Sequence, residues 1–194
     1  DWMPVTESII HIVHGPPYRI IYADPPWWYN QRANTDRFRG GAWRHYQPMK
    51  TEDIIALDFG GIADKDCALF LWATHPNLKE ALRVMEAWGF KYKTVGFTWV
   101  KRNPVSVNTW FFGVGHYTKS NAEICLLGTR GNMIPYIKSN EVSSLVEAPR
   151  GEHSVKPPEV AERIVQLFGD VPRIELFARK VRSGWDAWGN QLEV

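Results

Sequence analysis

Two cysteines in 194 residues, Cys67 and Cys125, leave no basis for a disulfide framework. Both stand in apolar, strand-like runs and read as buried thiols of a reducing compartment, not as a metal site. The six histidines and two cysteines show no metal-ligand spacing, so no metal is expected. No apolar stretch approaches the about 18 residues that would suggest a membrane crossing. No charged segment followed by an apolar core marks a secretory signal. The Gly-rich, Lys-Ser/Thr phosphate cradle of nucleotide hydrolases is absent. No repeat, linker or low-complexity tract breaks the chain, and one domain over residues 1–194 is expected. Charge is nearly balanced: 23 Lys and Arg against 21 Asp and Glu give +2, too little on its own to argue for nucleic acid. What is abundant is tryptophan, ten residues within an aromatic content of 13%. Such rings stabilise a core or stack on bases, and composition does not say which.

The pattern along the chain alternates strands with helices. Residues 19–23 (RIIYA) form a short β-branched run that meets Asp24-Pro25-Pro26, where both helix and strand are blocked. Residues 67–73 (CALFLWA) are continuously apolar, as in a central strand. Apolar residues at Leu78, Ala81, Leu82, Met85 and Trp88 have helical spacing, and Gly89 stops that helix. Strands are expected at 93–100, 123–128 and 174–178. Helices are expected at 51–57, capped by the Thr51-Glu52-Asp53 triplet, and from Pro157 to Phe168. Residues 29–48 and 102–120 read as long loops. The expected architecture is α/β, a mostly parallel central sheet flanked by helices, with ligands at the carboxyl ends of the strands.

Asp24-Pro25-Pro26-Trp27 lies just past such a strand end. An acid, a rigid carbonyl and an aromatic ring are presented together, and the prolines are read as leaving two carbonyls free of neighbouring N–H groups. A carboxylate and a carbonyl that accept the two protons of an exocyclic base amine would favour a more tetrahedral nitrogen and stabilise charge developing on it. A ring would hold the base once it has left its duplex. Residues 32–50 hold five basic side chains, Arg32, Arg37, Arg39, Arg44 and Lys50, against Asp36 alone. With Trp43, His45 and Tyr46 interleaved, this suits phosphate contacts and stacking. Lys101, Arg102 and the Trp110-Phe111-Phe112 run form a second candidate wall. Asn190-Gln191 is a paired amide able to face ribose hydroxyls and a purine edge; by itself it reads more readily as a polar helix start.

These blocks together resemble the MT-A70 group of S-adenosylmethionine-dependent N6-adenine methyltransferases. The resemblance runs through DPPW at 24–27, LFLW at 69–72, Trp88-Gly89-Phe90, Trp99-Val100-Lys101, Gly115-His116, Glu123-x-Cys125-Leu126, Arg130-Gly131-Asn132, Lys156-Pro157-Pro158-Glu159, IELFAR at 174–179 and GWDAWGNQ at 184–191. The wording of the last block is similar to the bacterial and phage branch. The resemblance implies a Rossmann-like methyltransferase fold with permuted motifs, the catalytic motif preceding the cofactor segment. It implies that Asp24 and Pro25 hold the target amine, that Pro26 and Trp27 complete the base pocket, and that Trp28 and Tyr29 adjoin it. It implies S-adenosyl-L-methionine as cofactor, with Asp24 near its methionine end, Arg179, Asn190 and Gln191 at its ribose and adenine, and Lys156-Pro157 beside them. Arg37, Arg39, Arg44, Lys101 and Arg102 are the expected substrate contacts. DNA is the expected substrate; the alternatives are RNA and a silent nucleic-acid-binding partner, the last disfavoured by the intact acid. N4-cytosine methylation is disfavoured because it usually goes with Ser in place of Asp24. Self-association or pairing with a second subunit is left open, and a bacterial or phage-infected cytoplasm is expected. Eukaryotic members of the group carry a cofactor-binding Lys just before the Glu that matches Glu123; here Ala122 stands there, with Ser120 or Asn121 as candidate replacements.

Overall fold

The computed structural model describes residues 10–12, 15, 17–28, 48–115, 117–151 and 155–192. In chain order its elements are β1 (Ile10–Ile12), β2 (Tyr18–Ala23), α1 (Thr51–Ala56), β3 (Ala63–Ala73), α2 (Leu78–Ala87), β4 (Lys91–Arg102), β5 (Ala122–Arg130), β6 (Leu145–Pro149), α3 (Pro158–Phe168), β7 (Arg173–Leu176) and β8 (Asp186–Gly189). The eight strands form one sheet in the order β1-β8-β7-β2-β3-β5-β4-β6. Six run in one direction; β1 and β5 run against them. The mostly parallel α/β sheet expected from the sequence is present, with β5 wedged antiparallel between β3 and β4.

Strand β3 shows why the centre forms where it does. Successive side chains of a strand point to opposite faces. Leu69, Leu71 and Ala73 enter one core with Ile54 of α1 and Ala81, Val84 and Met85 of α2. Ala68, Phe70 and Trp72 enter a second core with Val160, Ala161, Ile164 and Phe168 of α3. A strand covered on both faces must be apolar throughout, as 67–73 is. The tryptophans divide accordingly: Trp27, Trp72, Trp88, Trp99, Trp185 and Trp188 are buried, and Trp28 and Trp110 are open to solvent.

Arg130 staples this centre. Its guanidinium donates to the carbonyls of Gly60 (2.8 Å) and Trp88 (2.9 Å), joining the end of β5 to the turn after α2. Gly89 takes φ +83 there, and a Cβ would stand 2.7 Å from that guanidinium. Glycine is favoured by the conformation, and a Cβ would also press on the hydrogen-bonded guanidinium.

Three sequence expectations change. Helix α1 is not capped by a side chain of the Thr51 triplet; the Asp53 and Ile54 N–H groups donate to the Lys50 carbonyl instead, both at 3.1 Å. Residues 186–189 form the buried strand β8, so Asn190 follows a strand and does not start a helix. Pairing with β7 overrides the poor strand propensity of Asp and Gly, and the buried Asp186 accepts the Tyr18 hydroxyl at 2.6 Å. The segment after β4 is not plain loop: Arg102 bridges to Trp110 and Gly113 to Ser120. Among the described residues, no helix is long and apolar enough to cross a membrane.

Candidate active site

Strands β2, β7 and β8 are parallel neighbours, in register at Ala23 with Leu176 and at Leu176 with Trp188. The residues just past their carboxyl ends therefore share one edge of the sheet. Asp24 follows β2, Arg179 lies three residues beyond β7, and Asn190-Gln191 follow β8. The last two ends are laced together, since the Ala178 N–H donates to the Trp188 carbonyl at 3.0 Å. A Cβ on Gly189 would meet the Ala178 carbonyl at 2.4 Å, so this approach requires glycine. Phe177, at the turn out of β7, takes φ +58. That is an uncommon conformation for a bulky side chain, of the kind that clusters at ligand sites.

The Asp-Pro-Pro-Trp turn differs in detail from its sequence reading. Neither proline carbonyl is free. The Trp27 N–H folds back to the Pro25 carbonyl (2.9 Å), and the Met49 N–H donates to the Pro26 carbonyl (2.7 Å). The prolines lack donors of their own, but the residue beyond them and the returning chain supply two. Each carbonyl keeps a second lone pair. The Trp27 ring is buried, with Nε1 donating to the Trp72 carbonyl at 2.9 Å. It supports the turn from below, while the half-exposed Trp28 carries the open aromatic face.

Around Asp24 the sheet gathers four charges. Lys156, just before α3, places Nζ 3.1 Å from Asp24 Oδ2 and 3.0 Å from Glu123 Oε2. Lys101, near the end of β4, places Nζ 2.6 Å from Glu123 Oε1. The Trp72 ring lies beneath the Lys156 ammonium, 5.5 Å from it. Burial pushes the Asp24 carboxyl above the usual carboxylate range; Lys156 and Arg179 pull it down, and Glu123 adds to the upward push. Burial also acts upward on Glu123, but Lys156 and Lys101 together outweigh it and hold that carboxyl low. Lys156 keeps its proton firmly: burial opposes the charge, and the two carboxylates more than compensate. Next to this group, burial raises the Glu175 carboxyl of β7 against the pull of Arg182, whose Nε is 3.2 Å away.

The sequence-predicted residues thus fall into three sets. Asp24, Pro25, Pro26, Lys156, Arg179, Asn190 and Gln191 come to one edge of the sheet. Lys101 and Arg102 are engaged within the chain: Lys101 on Glu123, Arg102 paired with Glu147 and stacked 3.4 Å over the Trp110 ring. Tyr29, Arg37, Arg39 and Arg44 lie outside the described residues, as do Trp43, His45, Tyr46 and His116. Ser120 and Asn121 serve through their backbones, to Gly113 and to the Lys101 N–H, and the ammonium groups at Glu123 come from Lys101 and Lys156. Sequence reasoning did not single out Glu123 as the hub. Its signal was an ionisable residue opening an otherwise apolar strand, which is rarely buried unless paired.

The sheet order, the antiparallel wedge and the acid at the end of β2 are consistent with an α/β methyltransferase, and the family match identifies the chain as one. The MT-A70 family model matches residues 18–191, and the chain belongs to that family. It is similar to the Type II methyltransferase M.MunI of Mycoplasma sp, with 35% identity over 91% of this chain and 81% of that protein. It is also similar to the human N(6)-adenosine-methyltransferase catalytic subunit METTL3, 26% identical over 91% of this chain but only 28% of that protein. The mouse N(6)-adenine-specific methyltransferase METTL4 is 25% identical over 92% of this chain and 38% of its own length.

Proposed function

We propose that this chain transfers a methyl group from S-adenosyl-L-methionine to N6 of adenine in DNA, its residues 1–194 acting as one domain in a bacterial or phage-infected cytoplasm. The observation that carries this is the setting of Asp24: an acid fixed by two prolines at the carboxyl end of β2, beside the ends of β7 and β8. DNA is favoured over RNA because M.MunI is similar over most of its length, whereas METTL3 is similar over about a quarter of its own.

The donor set fits the cofactor. Asn190 and Gln191 offer amides toward ribose hydroxyls and a purine edge, Arg179 stands beside them, and Asp24 and Lys156 offer one charge of each sign toward an amino-acid end. Phe177 and Gly189 shape the backbone between those positions. When bound, S-adenosyl-L-methionine supplies an electrophilic methyl group on a sulfonium.

The chain's own residues prepare the nucleophile. Asp24 accepts one N6 proton, and the second lone pair of the Pro25 carbonyl accepts the other. Both bonds favour a tetrahedral nitrogen and hold its lone pair in line for attack. Asp24 takes up the proton that nitrogen loses, a task suited to a carboxyl held above its usual range. Trp28 and Tyr29 cover the base, and Arg37, Arg39 and Arg44 hold phosphates beside it. Transfer from labelled cofactor to matched DNA and RNA oligonucleotides, followed by nucleoside analysis, tests the proposal. N6-methyladenine in DNA is expected; product in RNA alone, or N4-methylcytosine, refutes it.

A further inference from the structure

We propose that Lys101 is a positioning residue for methyl transfer, acting through Glu123 on Lys156 and Asp24, and that it makes no phosphate contact. This rests on the function proposed above and adds a residue to its machinery. The observation is a continuous chain of charges of alternating sign: Lys101 Nζ to Glu123 Oε1 at 2.6 Å, Glu123 Oε2 to Lys156 Nζ at 3.0 Å, and Lys156 Nζ to Asp24 Oδ2 at 3.1 Å. The side chains of Lys101, Glu123 and Lys156 keep only 16%, 10% and 12% of their surface exposed, so the two contacts to Glu123 are weakly screened, while Asp24 at the end of the chain is 34% exposed and open to a substrate.

The arrangement has a direction. Lys156 is shared between two carboxylates, one of which must accept protons from the substrate amine. Lys101 neutralises the other. With Lys101 in place, Glu123 holds Lys156 less tightly and Asp24 keeps its share of the ammonium. The register of β4 on β5, with Trp99 opposite Glu123 and Val100 opposite Ala122, brings Lys101 to this spot. Its ammonium also lies 5.1 Å from the Trp99 ring.

Among the described residues, Arg179 beyond β7 also acts on Asp24, and Asp24 in turn is felt by Glu175 on β7, Cys125 on β5 and Tyr22 on β2. Burial keeps Cys125 and Tyr22 protonated, so neither changes charge in the working range. Glu175 is countered by Arg182.

The test is the titration midpoint of the Asp24 carboxyl, followed by carbon-13 NMR in the full chain without substrate. Lys101→Met removes a positive charge and moves the midpoint up, by about half a pH unit or more. Glu123→Gln removes a negative charge and moves it down, by about one unit, as expected for a charge sharing a direct neighbour. The double variant returns toward wild type, and Lys101→Arg keeps the wild-type midpoint. Loosening of the fold would move both single variants the same way, so opposite signs mark the relay. If Glu123→Gln does not fold, the contrast between Lys101→Met and Lys101→Arg still decides. In parallel, the slope of log affinity against log salt for a DNA oligonucleotide is expected to be unchanged in Lys101→Met. A slope flattened by about 0.7 to 0.9 would mean a lost phosphate contact and overturn the proposal. An unmoved Asp24 midpoint in Lys101→Met would overturn it equally. Wild-type protein that methylates neither nucleic acid while showing these midpoint shifts would refute the proposed function and leave the relay standing.

Discussion

Replacing Glu123 by Gln probes the site through stability. Glu123 is 8% exposed and takes one ammonium on each oxygen. Removing one partner of a buried ion pair typically costs about 3–5 kcal/mol, because the partner charge stays buried. Gln keeps the shape and one acceptor oxygen but turns an NH2 group toward the other ammonium, so the lower end, about 3 kcal/mol, is expected. For a domain of this size each kcal/mol moves the melting temperature by about 2–4 °C, so Tm should fall by about 6–12 °C at neutral pH. The pH dependence adds a sign. The Glu123 carboxyl is held below its usual range in the folded chain, so its contribution is present above the unfolded value, about 4.3, and is lost as pH falls through the lower folded value. The stability gap between wild type and variant should therefore be full at pH 7 and close in acid. Denaturant unfolding at several pH values measures it. A gap below about 1 kcal/mol at pH 7, or one that persists unchanged in acid, would refute the ion-pair account.

Asp24→Asn should behave oppositely. Its carboxyl is raised by burial, so the charged form disfavours the fold as pH rises through the folded value; the variant should lose about 10²-fold or more in turnover with no loss of Tm at pH 7–8, and a clear drop in Tm would contradict the sign. Asn190→Ala and Gln191→Ala should weaken cofactor binding while DNA affinity holds, which calorimetry with each ligand separates. Replacing Arg37, Arg39 and Arg44 together should lower the slope of log DNA affinity against log salt by about two to three if all three reach phosphates; an unchanged slope would make that charge concentration incidental.

Much of the fold could be read from residue pattern alone, for physical reasons. A strand covered on both faces has to be apolar throughout, so β3 announces itself. Helices α2 and α3 carry their buried residues on one stripe, Ala81, Val84 and Met85 in one and Val160, Ile164 and Phe168 in the other. Strand β8 was hidden because Asp186 and Gly189 are poor strand formers locally, and only pairing with β7 makes them strand. At the site, Asp24 was legible as an acid locked beside prolines. The roles of the lysines were not. Lys101-Arg102 beside an aromatic run looks like a basic surface until the β4–β5 register turns Lys101 onto Glu123. That the Trp27 N–H finds the Trp72 carbonyl was not legible either, because nothing local announces that partner.

The two backbone bonds that tie Trp28 and Pro26 to Met49 also bear on how such a protein diversifies. They close the chain on itself at the rim of the site, so the residues between are an insert with fixed ends. For an insert of that kind, each doubling of length adds only about 0.6 kcal/mol of closure entropy. The clamp therefore lets the length between Trp28 and Met49 change at small cost while the turn that carries Asp24 keeps its two backbone anchors.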